Sequence, residues 1–229
     1  MKKILSLMIC LLIIPGLVLA AETKAVVKTS TNLAENAKSA IMIEASSGKV
    51  LFDKNSHEKL PPASMTKMMS MLLIVEAVED GIISWDQKIT VSENASGMGG
   101  SQILLETGEQ MSVDDLFKGV AIMSGNDAVV ALAEAVAGTE DEFVKMMNKR
   151  AKELGLKDSV FKNPHGLDDA NHYSSAYDMS LIAKELVNEI LSKYGFVLDL
   201  NRKVYEMSVS EKQTLEIVKT LYRGANTLI

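Results

Sequence analysis

The stretch from Ser64 to Asp80 constrains the fold more than any other part of the chain. Met68, Met71, Leu72, Val75 and Val78 recur at helical spacing, and Gly81 closes the run. Apolar residues extend almost all round this helix, so it has no polar face to turn toward water. The segment predicts a central helix that other elements cover on every side.

The residues before it are extended. Ala40 to Asp53 consists of two apolar runs around Ser46-Ser47-Gly48, the pattern of a β-hairpin. Leu60-Pro61-Pro62 then holds the chain extended up to the helix. Beyond the central helix, end signals locate four more. Ser112-Val113-Asp114-Asp115 resembles a capping box opening a helix to Met123, and a second runs from Asp127 to Ala137. Thr139 to Glu142 starts a third, closed by Gly155, and Ser175 to Asp178 starts a fourth that reaches about Val187. The middle of the chain is therefore a helical lobe inserted after the hairpin and central helix.

The first twenty residues belong to export rather than to the fold. Met1-Lys2-Lys3 precedes an apolar run from Ile4 to Leu19, with small residues at Ala20 and Ala21, as in a secretory signal peptide. Cleavage after Ala20 leaves roughly 209 residues, enough for one substantial core. It also removes Cys10, the single cysteine, so disulfides and cysteine–metal centres are excluded from the mature chain. Taking Lys2 and Lys3 from the 24 basic residues leaves 22 against 30 acidic, a net −8. Without a basic tract, nucleic acid is excluded as a partner, and the membrane is met only through the signal peptide during export.

Ser64-Met65-Thr66-Lys67 sets a hydroxyl and an amine three residues apart at a helix start. One helical turn puts them on the same face, within reach of each other. A serine hydroxyl becomes a nucleophile when a neighbouring base takes its proton, and a lysine can do so once burial or a nearby cation lowers its pKa. The helix N-terminus and the Ser64 N–H favour a developing oxyanion. Such a pair recurs by chance in chains of this length, so its surroundings carry the assignment.

Those surroundings, Pro62 to Met69, resemble the active-site segment of the low-molecular-mass penicillin-binding D-alanyl-D-alanine carboxypeptidases, peptidase family S11. Ser124-Gly125-Asn126 resembles the second motif of that family, Ser-x-Asn. Glu44 to Leu51, Ala95 to Leu105, Phe161 to Leu167 and His172 to Met179 are similar to its hairpin, loops and later helix. The resemblance covers about residues 38 to 188. It implies an α+β, β-lactamase/transpeptidase-like fold, with an antiparallel sheet, incomplete here, packed on the central helix beside a helical lobe. It divides the chain into a signal peptide at 1–20, a linker at 21–38, a partial transpeptidase-like domain at 39–188 and a divergent tail at 189–229.

The same resemblance implies an exported, extracytoplasmic enzyme that removes the terminal D-alanine from peptidoglycan stem peptides ending in D-Ala-D-Ala. Ser64 is then the nucleophile, Lys67 the general base, Ser124 the proton relay to the leaving D-alanine and Asn126 a substrate-binding residue. No metal or organic cofactor is implied, and β-lactams become covalent inhibitors.

The third element of the family, Lys-Thr-Gly, does not occur, since Lys219-Thr220 is followed by Leu221. The expectation is a truncated or frameshifted product, with a substitute strand at Tyr205, Met207 and Val209. Loss of one oxyanion donor alone costs on the order of 100- to 1000-fold in kcat. A non-catalytic fragment is therefore the alternative reading. A β-lactamase is a further one, disfavoured because no Glu-x-x-Leu-Asn segment positions a deacylating water.

Other residues read as structural. His57 falls in a surface loop, His165 and His172 support family-like loops, and Met68, Met69 and Met71 fill the core. Trp85 reads as packing, and Asp114-Asp115 and Asp168-Asp169 as cap and turn residues.

Overall fold

The computed structural model describes residues 33–45 and 47–193. The signal peptide, most of the linker, the Tyr205–Val209 alternation and the rest of the tail beyond 193 lie outside them.

The hairpin forms as its pattern predicts. Strands β1 (Ala40–Ile43) and β2 (Val50–Lys54) pair antiparallel, with Ala40 opposite Lys54 and a register irregularity between Met42 and Ile43. Two bonds then fasten the extended approach to the central helix. Leu60 N–H donates to the Ser174 carbonyl at 2.8 Å, and Ser174 N–H returns to Leu60 at 3.0 Å.

The central helix differs from expectation in its first turn. Residues Ala63–Thr66 form a 3-10 turn, and the α-helix proper, α1, runs Lys67–Glu79. Ala63 adopts φ +48°, outside the right-handed helical region, so a regular α-helical turn cannot include it. Further along, Met69, Leu72, Ile74 and Val75 are wholly buried, as an all-round apolar helix requires. The helical lobe and the last helix enclose it.

That lobe contains α2 (Glu93–Ser96), α3 (Val113–Met123), α4 (Asn126–Ala137) and α5 (Glu140–Glu153). The caps are those the sequence signals: Ser112 accepts from Asp115 N–H, and Thr139 from Glu142 N–H. Three elements go beyond the sequence reading. Strands β3 (Lys88–Thr90) and β4 (Gln110–Ser112) pair antiparallel, and α2 occupies the start of what reads as a loop. Each spans three or four residues, too few for a periodic pattern to emerge.

Helix α6 spans Ala176–Lys193, six residues past the expected end near Val187. Nothing in Asn188 to Lys193 breaks a helix, and Ile190 continues the apolar face of Ile182 and Leu186 one turn on. Helix α6 packs against both α1 and β1. The result is an α+β fold built round α1.

Candidate active site

The turn Ala63–Thr66 and the start of α1 form the floor of the site. In a 3-10 turn residues i and i+3 eclipse, which brings Ser64 and Lys67 closer to alignment than an α-turn would. Lys67 Nζ lies 3.1 Å from Ser64 Oγ and donates to the His165 carbonyl at 2.8 Å. The two side chains meet opposite environments: Ser64 is exposed, whereas Lys67 is 2 % exposed. Burial pushes the Lys67 ammonium down from its ordinary value to about 8. A buried amine that loses its proton near neutrality, touching an exposed hydroxyl, is equipped to activate that hydroxyl.

The loop from Asn163 to Leu167 clamps the turn from behind. Ser70 Oγ donates to the Pro164 carbonyl at 2.7 Å, next to the His165 carbonyl that holds Lys67. Gly166, at φ +89°, lies so close to the Ala63 carbonyl that any Cβ would overlap it. Asn163 closes the loop internally, its Oδ1 accepting from Gly166 N–H at 2.6 Å and its Nδ2 donating to the Leu167 carbonyl at 3.0 Å.

A second buried contact comes from His172. Its Nε2 meets Thr66 Oγ1 at 2.9 Å, and its Nδ1 accepts from Lys162 N–H at 3.3 Å. That acceptor role places the proton on Nε2, which donates to Thr66. Burial holds the imidazolium form of His172 below its usual range. Sequence reading treats His165 and His172 as supports but does not foresee which atoms they serve. Loop composition contains no signal for a backbone carbonyl aimed at Lys67.

Ser124 and Asn126 sit at the α3–α4 junction. Ser124 caps α3 in the left-handed conformation, φ +57° and ψ +34°, and is half-buried. Among the described residues its side chain hydrogen-bonds neither Lys67 nor Ser64. Asn126 opens α4 and is 3 % exposed. Its Nδ2 donates to the Gly99 carbonyl at 2.7 Å, and its backbone N–H to the Ser101 carbonyl at 2.7 Å. A Cβ on Gly100 would stand 2.7 Å from Asn126 Nδ2, so this crossing needs a glycine.

Asp127 is the residue sequence reading missed here. Its buried carboxylate accepts from Ile103 N–H at 3.1 and 3.0 Å, Leu105 N–H at 3.1 Å and its own neighbour Ala128 N–H at 2.8 Å. It ties the Gly99-to-Leu105 loop to the N-terminus of α4. A helix start is a favourable place for that charge. Among the described residues no group of three metal-ligating side chains gathers.

The residues weighed as structural are so placed. His57 is exposed, with Nδ1 2.9 Å from Asp158, and Trp85 meets Phe117 edge-on at 5.2 Å between ring centroids. Met69 is fully buried, with Met68 and Met71 packed against the same core.

A Ser-x-x-Lys turn opening a buried helix, with a Ser-x-Asn junction in the adjoining helical lobe, defines the β-lactamase/transpeptidase-like class of serine acyl-transfer folds. Within that class the chain belongs to the D-alanyl-D-alanine carboxypeptidase family, peptidase S11, whose model matches residues 25–225. The match extends on both sides beyond the 38–188 stretch where the motifs are legible by eye. The chain is 53 % identical over 195 residues to the D-alanyl-D-alanine carboxypeptidase DacF of Bacillus subtilis (strain 168), covering 85 % of this chain and 50 % of that protein. Its fold is similar to the crystal structure of penicillin binding protein 5 from Haemophilus influenzae, with TM-score 0.67 and 39 % identity over 70 % of this chain and 47 % of that one. It is also similar to penicillin-binding protein D2 from Listeria monocytogenes in its ampicillin-bound form, with TM-score 0.62 and 29 % identity over 76 % and 69 % of the two chains. The chain spans about half the length of the curated relatives it matches.

Proposed function

We propose that this chain carries the acylating half-site of a serine D-alanyl-D-alanine carboxypeptidase. The observation that carries the reading is the 3.1 Å approach of a buried Lys67 amine to an exposed Ser64 hydroxyl. Membership of the S11 family and similarity to the D-alanyl-D-alanine carboxypeptidase DacF of B. subtilis support it.

In this reading the neutral Lys67 amine takes the Ser64 proton as Oγ attacks the carbonyl joining the two terminal D-alanines. The tetrahedral oxyanion forms beside the Ser64 N–H. Collapse breaks the C–N bond, and Lys67 returns the proton through the Ser124 hydroxyl to the departing amine. Asn126 orients the substrate amide. Water then adds to the Ser64 ester, releasing the shortened peptide and restoring both residues. No step calls on a metal or organic cofactor. Residues 1–20 act as the export signal, 21–38 as a lead-in, 39–188 as the transpeptidase-like portion and 189–229 as a tail, so the site faces an extracytoplasmic compartment.

A β-lactam presents a strained amide in the place of the D-alanyl-D-alanine bond, and ampicillin is bound in the L. monocytogenes neighbour. Intact mass of residues 21–229 after exposure to benzylpenicillin tests the reading. A single stable adduct that Ser64→Ala abolishes supports it. A folded native protein that gains no mass refutes acylation by this chain.

A further inference from the structure

His165 stands between the lysine and the helical lobe. Its backbone carbonyl faces inward and accepts from Lys67 Nζ at 2.8 Å. Its ring is buried and faces the other way. Ring Nδ1 accepts from Leu167 N–H at 3.1 Å, which leaves the proton on Nε2. That nitrogen lies 3.4 Å from Glu140 Oε1, the first residue of α5. The second carboxylate oxygen, Oε2, is approached by Asn94 Nδ2 at 3.4 Å, from α2.

We infer that Glu140 is a positioning residue for the acylation step: it fixes the orientation and tautomer of the His165 ring, and thereby the carbonyl that holds Lys67 beside Ser64. The inference rests on the acylating role of that pair.

Three observations converge on it. First, the ring has two polar neighbours that suit the same tautomer, Leu167 N–H on Nδ1 and the Glu140 carboxylate 3.4 Å from Nε2. Second, Glu140 is suited to remain charged: the contact with His165 is the chief reason its carboxyl lies below the usual range, and the α5 N-terminus favours the same charge. Third, the loop has little freedom elsewhere. Its inner side is fixed by Ser70 on Pro164 and by Gly166 on Ala63, so its outer side is set by the His165 ring. A loop gripped on both sides presents its carbonyl at one place, and Lys67 follows it.

The alternative is that Glu140 merely decorates a helix start. Its neighbours Asp141 and Glu142 occupy the same first turn, yet among the described residues neither meets a group of the site.

The test uses two substitutions in the full chain. Glu140→Gln keeps an oxygen facing Nε2–H; Glu140→Ala removes it. Three readouts follow: the rate of acylation by a fluorescent penicillin, the 15N shifts of the His165 ring, and the titration midpoint of Lys67 followed at its 13Cε. In Glu140→Ala acylation slows roughly ten-fold, as expected when a reacting group loses its orientation. The ring nitrogens shift toward a tautomer mixture. The Lys67 midpoint falls further below about 8, because the ammonium loses a fixed carbonyl acceptor. Glu140→Gln keeps the native tautomer and acylates within about three-fold of native, about half of one ten-fold step on a logarithmic scale. Thermal midpoints measured alongside separate positioning from unfolding.

An unchanged Lys67 midpoint and tautomer in folded Glu140→Ala overturns the inference whether or not the chain acylates. If native protein gives no adduct, the carboxypeptidase reading fails alone, and the two NMR measurements still decide the role of Glu140.

Discussion

Gly166 and Ala63, over a hundred positions apart in the chain, meet backbone to backbone, with no room between the Gly166 Cα and the Ala63 carbonyl oxygen for a side chain. The contact bears on the residue immediately before Ser64, and both partners hold positive φ angles, +89° and +48°. For Ala63 such a backbone is strained by roughly 1–2 kcal/mol, a cost that only a tightly packed surrounding can maintain.

Substituting this glycine tests that packing. Gly166→Ala is expected to destabilise the fold by about 2–3 kcal/mol, from overlap with backbone and from the left-handed conformation it would have to keep. The loop must shift to make room, and it takes the His165 carbonyl with it. The measurements are thermal unfolding and the rate of penicillin acylation. A variant as stable and as fast as native would show that the loop can move away freely.

The proposed role of Lys67 as base carries a pH dependence for acylation. Lys67 acts as a base only when neutral, and burial lowers its pKa from 10.5 to about 8. The acylation rate should therefore climb as pH rises through about 8 and level off above it. At pH 7 about one lysine in ten is neutral, so the rate is roughly a tenth of the plateau. A pH profile flat from 6.5 to 9.5 would exclude Lys67 as the base. Stability follows in the same direction. Between about 8 and 10.5 the unfolded chain holds a proton that the folded one lacks, so stability rises with pH across that window.

Asp127 is expected to be worth more than an ordinary cap. Asp127→Ala leaves the N–H groups of Ile103, Leu105 and Ala128 without their acceptor, two of them from the loop over Asn126. Each buried unsatisfied donor costs about 1–3 kcal/mol, so a loss near 3 kcal/mol is expected after partial relaxation. Amide hydrogen exchange should accelerate at Ile103 and Leu105 before it does in α1. Uniform acceleration over the whole chain would point instead to global destabilisation.

At the C-terminal end of α1, Glu189 on α6 is raised to about 7, first by burial and then by the nearby Glu79. A carboxyl whose folded pKa lies above its unfolded value favours the fold when protonated. Stability should accordingly decline as pH rises from about 4.5 to about 7. Glu189→Gln should remove that decline and stabilise the protein at pH 8 by on the order of 1 kcal/mol, allowing for solvent screening. Urea unfolding at pH 5 and pH 8 gives the comparison. Equal effects of the substitution at both pH values would contradict the assignment.

The parts legible in the sequence are those fixed over a few residues. The hairpin followed from two apolar runs and a glycine turn, and α3 and α5 from Ser112 and Thr139, whose hydroxyls accept from the amide three residues on. The Ser64–Lys67 pair is of the same kind, since a separation of three residues fixes the geometry through a single turn. The sequence places the end of α6 too early because no stop signal follows Val187 and Ile190 continues its apolar face.

What gives the pair its chemistry lies much farther along the chain. His165 reaches Lys67 across 98 positions, and His172 reaches Thr66 across 106. A carbonyl or a ring nitrogen acquires such a partner only when the intervening lobe has folded and set its loops against α1. Spacing within the sequence determined which side chains stand on one face of a turn. Only the tertiary structure decided that Lys67 is buried while Ser64 is not, because desolvation depends on everything that packs around a group and not on its neighbours in sequence.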